Sequence, residues 1–476
     1  MSRKSDKLQL VDWASSFDIT NHDKLKLVEH CVKIQIVIIH PAKTIRGRIR
    51  VSGDKSISHR AAMIAALADG ASQITNYSTS ADCAATLSCL RQIGVRIDQE
   101  NNNLTIHGVG EKGFRAPDAP LDCGNSGTTM RLLAGILAGC DFESTLTGDE
   151  SLRSRPMQRI IEPLEMMGAQ ISSNTGRAPL SIQGRNRLRN INYELLVASA
   201  QVKSCILLAG LHAEGKTTVI ENEATRDHTE RMLNLFGANI ETGKPEREPA
   251  NARFATLDGP AQLHACDLDV PGDISSAAYF IAAAALLPES LLEVNHVGLN
   301  ETRAAFTETL QQLGCNVAID DVGVHGNEPV GSIRVKGKDM RASDRIDSPL
   351  NVNGLAIPKL IDELPLLAVV GSQLPSGIEI RDARELRVKE SDRISTTVEN
   401  LRAMGAQVEE FDDGLRVNGP TKLRGTKIDP HGDHRIAMAF AVAGLLAEGE
   451  TEIADAGCVA VSFPEFFELL ELVVER

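Results

Sequence analysis

A glycine turn followed by hydroxyls and cations, Gly53-Asp-Lys-Ser-Ile-Ser-His-Arg60, is suited to an anion. Read as the start of a helix, it offers unpaired backbone N–H groups, the positive end of the helix dipole, and charge-assisted donors from Lys55, Ser56 and Arg60. Together these suit a phosphate. The opening recurs: Val51-Ser-Gly-Asp-Lys-Ser56 is echoed by Val270-Pro-Gly-Asp-Ile-Ser275, each ahead of an Ala-rich apolar run, and only the first copy carries the cations. The pair reads as a duplication in which one copy specialised for binding and the other remains a capped structural turn.

Further polar clusters fall at comparable places. Cys123-Gly-Asn-Ser-Gly-Thr-Thr129 is a Gly-rich turn able to present donors around Asn125 and Gly127. Arg155 precedes Pro156, from where it can reach into a cleft or pair with a surface carboxylate. Ser199-Ala-Gln-Val-Lys203 brings Ser199 and Gln201 to another helix start, with simple N-capping as the alternative. Arg226-Asp-His-Thr-Glu230 and Asp433-His-Arg435 mix both signs of charge; Arg226 and Arg435 suit a substrate, whereas His228 and His434 read first as structural groups. Leu386-Arg-Val-Lys-Glu-Ser-Asp-Arg393 is the densest cluster, its alternative being a solvated helix face with a Glu390–Arg393 pair. Asp362 and Glu363 open an apolar helix whose dipole keeps a carboxylate ionised, which suits a cap and equally a base. Many cations, two or three carboxylates, no metal cage and no Ser-His-Asp triad point to charge stabilisation and proton transfer on phosphorylated, carboxylated substrates.

The elements that hold these residues recur. A nearly all-apolar helix, a short strand, an amphipathic helix ending in Gly, and two more strands are repeated six times, with stop glycines at Gly94, Gly168, Gly237, Gly314 and Gly405. Spacings of roughly 70 to 90 residues exceed those of stacked repeats, so each copy reads as a small α/β fold. Three copies precede the second Gly-Asp turn and three follow it. The expected division is therefore a lobe of residues 55–267, a discontinuous lobe of 39–54 and 268–476, and an appended segment, 1–38, in which Trp13 packs rather than binds. Ser58, Thr128, Ser199, Ser275, Asp362 and Asp433 are the polar residues expected at the starts of the apolar helices. If those starts face the cleft between the lobes, their dipoles add to an anion trap.

Composition sets the limits. A chain of 476 residues is too long for one ordinary core. Aromatic residues make up only 3%, so the cores must be built from Ala, Leu, Ile, Val and Met. Apolar runs such as Ala437–Ala447 fall short of the roughly 18 residues that span a bilayer, and the chain opens without a signal-peptide pattern, so a cytoplasmic protein away from membranes is expected. Nine cysteines without Cys-x-x-Cys spacing speak against a disulfide framework or a zinc site. The formal charge of −14 disfavours nucleic acid as a partner and requires any anion-binding cations to be gathered locally.

Taken together, Gly53-Asp-Lys-Ser, Gly124-Asn-Ser-Gly-Thr, Arg155-Pro-Met, Ser199-Ala-Gln-Val-Lys203, Arg226-Asp-His-Thr-Glu230, Asn300-Glu-Thr-Arg303, Arg387-Val-Lys-Glu-Ser-Asp-Arg393, Asp433-His-Arg435 and Ser462-Phe-Pro resemble the 5-enolpyruvylshikimate-3-phosphate (EPSP) synthase family, in order, from about residue 40 onward. The resemblance implies an α/β fold of two lobes, each of three βαβαββ units. It also implies transfer of the enolpyruvyl group of phosphoenolpyruvate to the 5-hydroxyl of shikimate 3-phosphate, with no cofactor or metal, by a protein expected to act as a monomer. By that resemblance Lys55, Ser56, Arg60, Ser199, Ala200, Gln201, Arg226, Asp362 and Lys389 would hold shikimate 3-phosphate. Lys55, Asn125, Gly127, Arg155, Gln201, Arg393 and Arg435 would hold phosphoenolpyruvate, while Asp362 serves as base and Glu390 as acid, with Lys55 beside them.

The Arg-x-His-x-Glu, Ser-Ala-Gln-x-Lys and Asn-x-Thr-Arg signatures look like the class II branch. Val461 stands where many relatives carry lysine, which removes one phosphate contact. The sister enzyme acting on UDP-N-acetylglucosamine uses a loop cysteine as acid, and Thr147–Pro156 holds none. A catalytically silent phosphometabolite-binding protein on the same scaffold is the rival of another class, and retention of Asp362 and Glu390 speaks against it. Class II relatives that tolerate glyphosate often carry Ala where Gly127 stands, so sensitivity is expected here.

Overall fold

Helices that are apolar on every face must be buried, and the chain alternates such helices with amphipathic ones. In the computed structural model, which describes residues 36–476 apart from 111–112, 186, 246–250 and 343–347, twelve helices have eight or more residues. They are α1 (Lys55–Leu67), α2 (Ala81–Gln92), α3 (Gly127–Ala138), α4 (Gln158–Met166), α5 (Ala200–Gly210), α6 (His228–Leu235), α7 (Ile274–Leu286), α8 (Ala305–Gln312), α9 (Leu364–Gly371), α10 (Arg393–Ala403), α11 (His434–Leu446) and α12 (Phe466–Val473). Odd-numbered helices are the buried ones; α7 has all thirteen residues buried. The first five even-numbered helices stop at the expected glycines, whose φ of +81° to +107° places them in the left-handed region that favours Gly. Trp13 and the segment up to residue 35 lie outside the described residues.

Each copy folds its strands onto its two helices. In the first, Asp69–Thr75 runs antiparallel to Asn103–Val109 from Asp69↔Val109 to Ile74↔Leu104, and Arg96–Glu100 adds at the edge. The sixth copy has only Val474–Glu475 after α12, and the start of the described chain completes it. Thr44–Ile49 pairs antiparallel with Val474–Glu475 and parallel with Leu291–Val294, while Val37–Ile39 pairs antiparallel with Thr451–Ile453. Residues 37 and 38, expected in the appended segment, therefore belong to the fold, and Val37 is buried in its core.

Apolar side chains collect into two cores. One runs from Ile57 to Val270; the other joins Val37–Val51 to Ile274–Val473, including the edge-on aromatic group of Phe280, Phe463 and Phe466 with centroids 5.6 to 6.1 Å apart. The two chain crossings between these cores are the two copies of the Gly-Asp turn, and they pair with each other. Gly53 bridges Gly272 antiparallel, Asp54 N–H donates to Pro271 O at 2.7 Å, and Asp273 N–H donates to Ser52 O at 3.0 Å. A Cβ on Gly53 would lie 1.8 Å from Asn76 O, so backbone packing forbids any side chain there. No helix among the described residues is long and apolar enough to cross a membrane.

Candidate active site

All six buried helices start at one cavity of about 690 Å³ between the two cores. Lys55 and Ser56 (α1), Gly127 and Thr128 (α3), Ser199 to Gln201 (α5), Asp273 (before α7), Asp362 (before α9), and His434 and Arg435 (α11) line it. Six positive dipole ends thus face one space, as anion binding needs. Ten Lys and Arg side chains line it against seven Asp and Glu, in a chain whose formal charge is −14.

Every polar residue expected at a helix start lies in the first turn or just before it, and the structure settles which of them cap. Asp54 rather than Ser58 caps α1, accepting from Ile57 N–H at 2.9 Å; Ser126 rather than Thr128 caps α3 at 3.1 Å; Asp273 rather than Ser275 caps α7 at 2.9 Å. Ser199 and Asp433 cap α5 and α11 as read, and Glu363 rather than Asp362 occupies that position on α9. An N-cap oxygen serves N–H groups two or three residues on, so hydroxyls already inside the first turn are displaced from the role.

Arg393, the largest fully buried side chain, organises one wall. Its Nε donates to Asp433 Oδ2 at 2.8 Å, its Nη2 to Glu390 Oε2 at 2.6 Å, and its Nη1 lies 3.6 Å from Asp362 Oδ1 without a hydrogen-bond partner. Arg435 reaches Asp362 Oδ2 at 3.5 Å and donates to its main-chain oxygen at 3.2 Å. From the other core, Arg226 donates to Asp362 Oδ2, and Arg155 lies 3.6 Å from Glu390 Oε1 while donating to Asn125 Oδ1 at 2.7 Å. Lys55 is paired with Asp82 at 2.8 Å, and Lys389 with Glu385 at 3.0 Å.

These neighbours set the protonation states. Burial alone would raise the carboxyls of Asp362 and Glu390; the surrounding cations overcome it and hold both well below the ordinary range, Arg435 and Arg226 foremost for Asp362 and Arg393 for Glu390. Burial pushes the imidazole of His434 down to about 3, so it is neutral beside them. Burial also raises Glu363, which accepts from Ser275 Oγ. Arg131 is pushed down to about 10, by burial first and then by Arg155 and Arg159.

The cavity brings together Lys55, Ser56, Gly127, Arg155, Ser199, Ala200, Gln201, Arg226, Asp362, Lys389, Glu390, Arg393 and Arg435. Two expected residues are not among those lining it. Asn125, partly exposed, accepts from Arg155, and Arg60, 2% exposed, donates to Ser56 O at 2.9 Å, Ser204 Oγ at 2.8 Å and Thr229 Oγ1 at 2.7 Å. Arg60 lies more than a helical turn beyond Lys55, so its guanidinium folds back onto the first turn from inside the protein.

Among the lining residues, Arg131 and Asp82 escaped the sequence reading, and Arg303 was read there only as part of a motif, without a role. Arg131 stands at i+4 from Gly127 and donates to Gln201 Oε1, a spacing that could have flagged it. Asp82 partners Lys55. Arg303 reaches Asp273 at 3.3 Å and Asp54 at 3.8 Å, neutralising both Gly-Asp turns at once. Val461 does not line the cavity, and no described cysteine does.

Carboxylates set among buried cations suit acid–base chemistry on an anionic substrate, and comparison with known proteins gives the same direction. The profile of EPSP synthase (3-phosphoshikimate 1-carboxyvinyltransferase) matches residues 39–470. A 3-phosphoshikimate 1-carboxyvinyltransferase from Koribacter versatilis is 49% identical over 92% of this chain and 99% of its own length; one from Salinibacter ruber is 47% identical over 91% and 98%. The structure of EPSP synthase from Acinetobacter baumannii aligns with a TM-score of 0.80 at 40% identity, covering 93% of this chain and 98% of that one. The enolpyruvyl transferase NikO from Streptomyces tendae shares the fold, with a TM-score of 0.73 at 19% identity. With the profile spanning nearly every described residue and relatives this similar along their whole length, the chain belongs to the EPSP synthase family.

Proposed function

We propose that the cavity carries out the family's reaction, transfer of the enolpyruvyl group of phosphoenolpyruvate to the 5-hydroxyl of shikimate 3-phosphate with release of phosphate. The observation that carries this reading is the pair of ionised carboxylates on either side of Arg393, flanked by arginines from both cores. Asp362 takes the proton of the 5-hydroxyl as its oxygen attacks C2 of phosphoenolpyruvate, and Glu390 delivers a proton to the methylene carbon, giving a tetrahedral adduct. Loss of phosphate and of one methyl proton then restores the enol ether. Arg155, Arg393, Arg435 and Lys55, with Gln201 and the Gly127 turn, would hold phosphoenolpyruvate; Ser56, Ser199, Ala200, Gln201, Arg226 and Lys389 would hold shikimate 3-phosphate. Buried Arg393 Nη1 and Arg155 Nε, donors without acceptors, support the first assignment.

Glu390 must acquire a proton to act as acid. Anions that engage Arg155 and Arg393 withdraw the charges that depress it, so binding itself primes the donor. Two lobes, 55–267 and 39–54 with 268–476, closing over the substrates, complete the reading. Phosphate release measured with phosphoenolpyruvate and each acceptor tests it. Release should require shikimate 3-phosphate and survive exhaustive chelation; release with UDP-N-acetylglucosamine instead, or only with added metal, would refute it.

A further inference from the structure

Behind the wall that carries Gln201 and Arg226 lies a buried ionic junction that none of the binding roles above uses. Lys203, 2% exposed, donates to Glu221 Oε1 at 2.9 Å and lies 2.7 Å from Glu230 Oε1. Burial would lower its pKa, but Glu230 and Glu221 raise it, so the ammonium is charged. The three residues sit on three elements: Lys203 on α5, two positions after Gln201; Glu221 at the end of strand Ala213–Glu221; Glu230 in the first turn of α6. Between Glu221 and α6 runs the short segment 222–227 that bears Arg226. One ammonium therefore clamps both ends of that segment and the helix that presents Gln201. Thr225, adjacent to Arg226, is tied in as well, its Oγ1 donating to Glu221 Oε2 at 2.6 Å.

We infer that Lys203, with Glu221 and Glu230, is a positioning residue for the phosphorylated acceptor, fixing Arg226 and Gln201 relative to each other without touching the ligand. This rests on the proposed reading of the cavity. The side chains assigned to phosphoenolpyruvate are held by other groups: Arg155 by Asn125, and Arg393 by Asp433 and Glu390. Gln201 is shared between the two substrates, but Arg226 is assigned to shikimate 3-phosphate alone, so the junction acts mainly on the acceptor. Arg60 extends the same support to α1, linking Ser56 O to Ser204 and Thr229 of α5 and α6.

Steady-state kinetics of the full chain test the assignment. Lys203→Met should raise KM for shikimate 3-phosphate about tenfold or more while KM for phosphoenolpyruvate and kcat stay within about threefold. Adding Glu230→Gln to it should recover part of that loss, because the amide can donate to the stranded Glu221; two merely destabilising changes would compound instead. Glu230→Gln alone keeps the Lys203–Glu221 pair and gives a smaller shift in the same direction, which serves if Lys203→Met does not fold. Equal rises in both KM values, or an unchanged KM for shikimate 3-phosphate, would overturn the inference. Absence of turnover in the parent protein would instead overturn the proposed reaction.

Discussion

Glu390 is the side chain whose charge state and role most plainly differ. Without ligand it is an anion held by Arg393 and Arg155, yet the proposed chemistry needs it protonated. Binding of both substrates should therefore take up a proton near neutral pH. Calorimetry in buffers of different ionisation enthalpy should give heats that differ accordingly, and buffer-independent heats would place the acid elsewhere. Glu390→Gln and Asp362→Asn should each lower kcat by roughly 10² to 10⁴ with smaller effects on KM. Gly127 illustrates specificity at the same scale. A Cβ there would stand 2.8 Å from Arg131 Nη1 and 3.5 Å from Arg155 Nη1, and both guanidinium ends are able to shift. Gly127→Ala should then raise the inhibition constant of glyphosate, slightly longer than phosphoenolpyruvate, well beyond any rise in KM for phosphoenolpyruvate. Equal rises would show that this turn does not discriminate.

Each buried helix both builds a core and delivers its first turn to the cavity, and Asp433 shows how the two duties meet. It caps α11 through Arg435 N–H at 2.9 Å and anchors Arg393. Asn is an equally good cap but carries no charge. Asp433→Asn should therefore keep the cap but leave the buried Arg393 short of a counter-charge, lowering the unfolding midpoint and raising KM for phosphoenolpyruvate about tenfold, the scale of a charged hydrogen bond. A lowered midpoint with unchanged KM would make Asp433 a structural residue only. Much at this scale was legible in the sequence. Helices apolar all round, stop glycines and alternating strands announce themselves because burial and the left-handed region leave few residue choices. Which polar residue is the cap was left open at α1, α3 and α7, since several in one turn compete and only geometry selects among them. The strands that complete the sixth copy could not be read either, as Val37–Ile39 and Thr44–Ile49 lie over 400 residues from their antiparallel partners at the C-terminal end. Arg131, which lines the cavity, was missed for a similar reason: residue type says that a guanidinium is present, whereas depth along the helix decides what it meets.

Across the whole molecule, the cations of one core face carboxylates of the other, Arg226 with Asp362 and Arg155 with Glu390, so the two cores meet without a ligand between them. These pairs are partly solvated and should weaken with salt. The radius of gyration from small-angle scattering should grow with ionic strength in the ligand-free protein and stay constant with both substrates bound; salt-independence in both states would show that other contacts hold the lobes. Acid acts on the fold through buried neutral imidazoles. Burial depresses His59 and His434 below the ordinary 6.5, so the unfolded chain binds protons that the folded one refuses, and stability falls as pH drops below about 6.5. Burial raises the carboxyls of Glu363 and Asp273, which pull the opposite way. Comparison with His59→Gln, able to keep the bond to Thr86, isolates the effect: its loss of stability between about pH 6.5 and 5 should be shallower than that of the parent, and identical slopes would rule His59 out.

The paired Gly-Asp crossings have a mechanical meaning. Two strands joining two bodies at separate points would let them twist and slide as well as open. Here both strands run side by side and are stitched together by Asp54 N–H to Pro271 O and Asp273 N–H to Ser52 O, with Gly53 packed against Asn76. A joint so bound is expected to act as a door hinge, free to swing about one axis and stiff about the others. Any opening would then return Arg226 to Asp362 and Arg155 to Glu390 along a single path, and the halves of the site would meet in the same register each time.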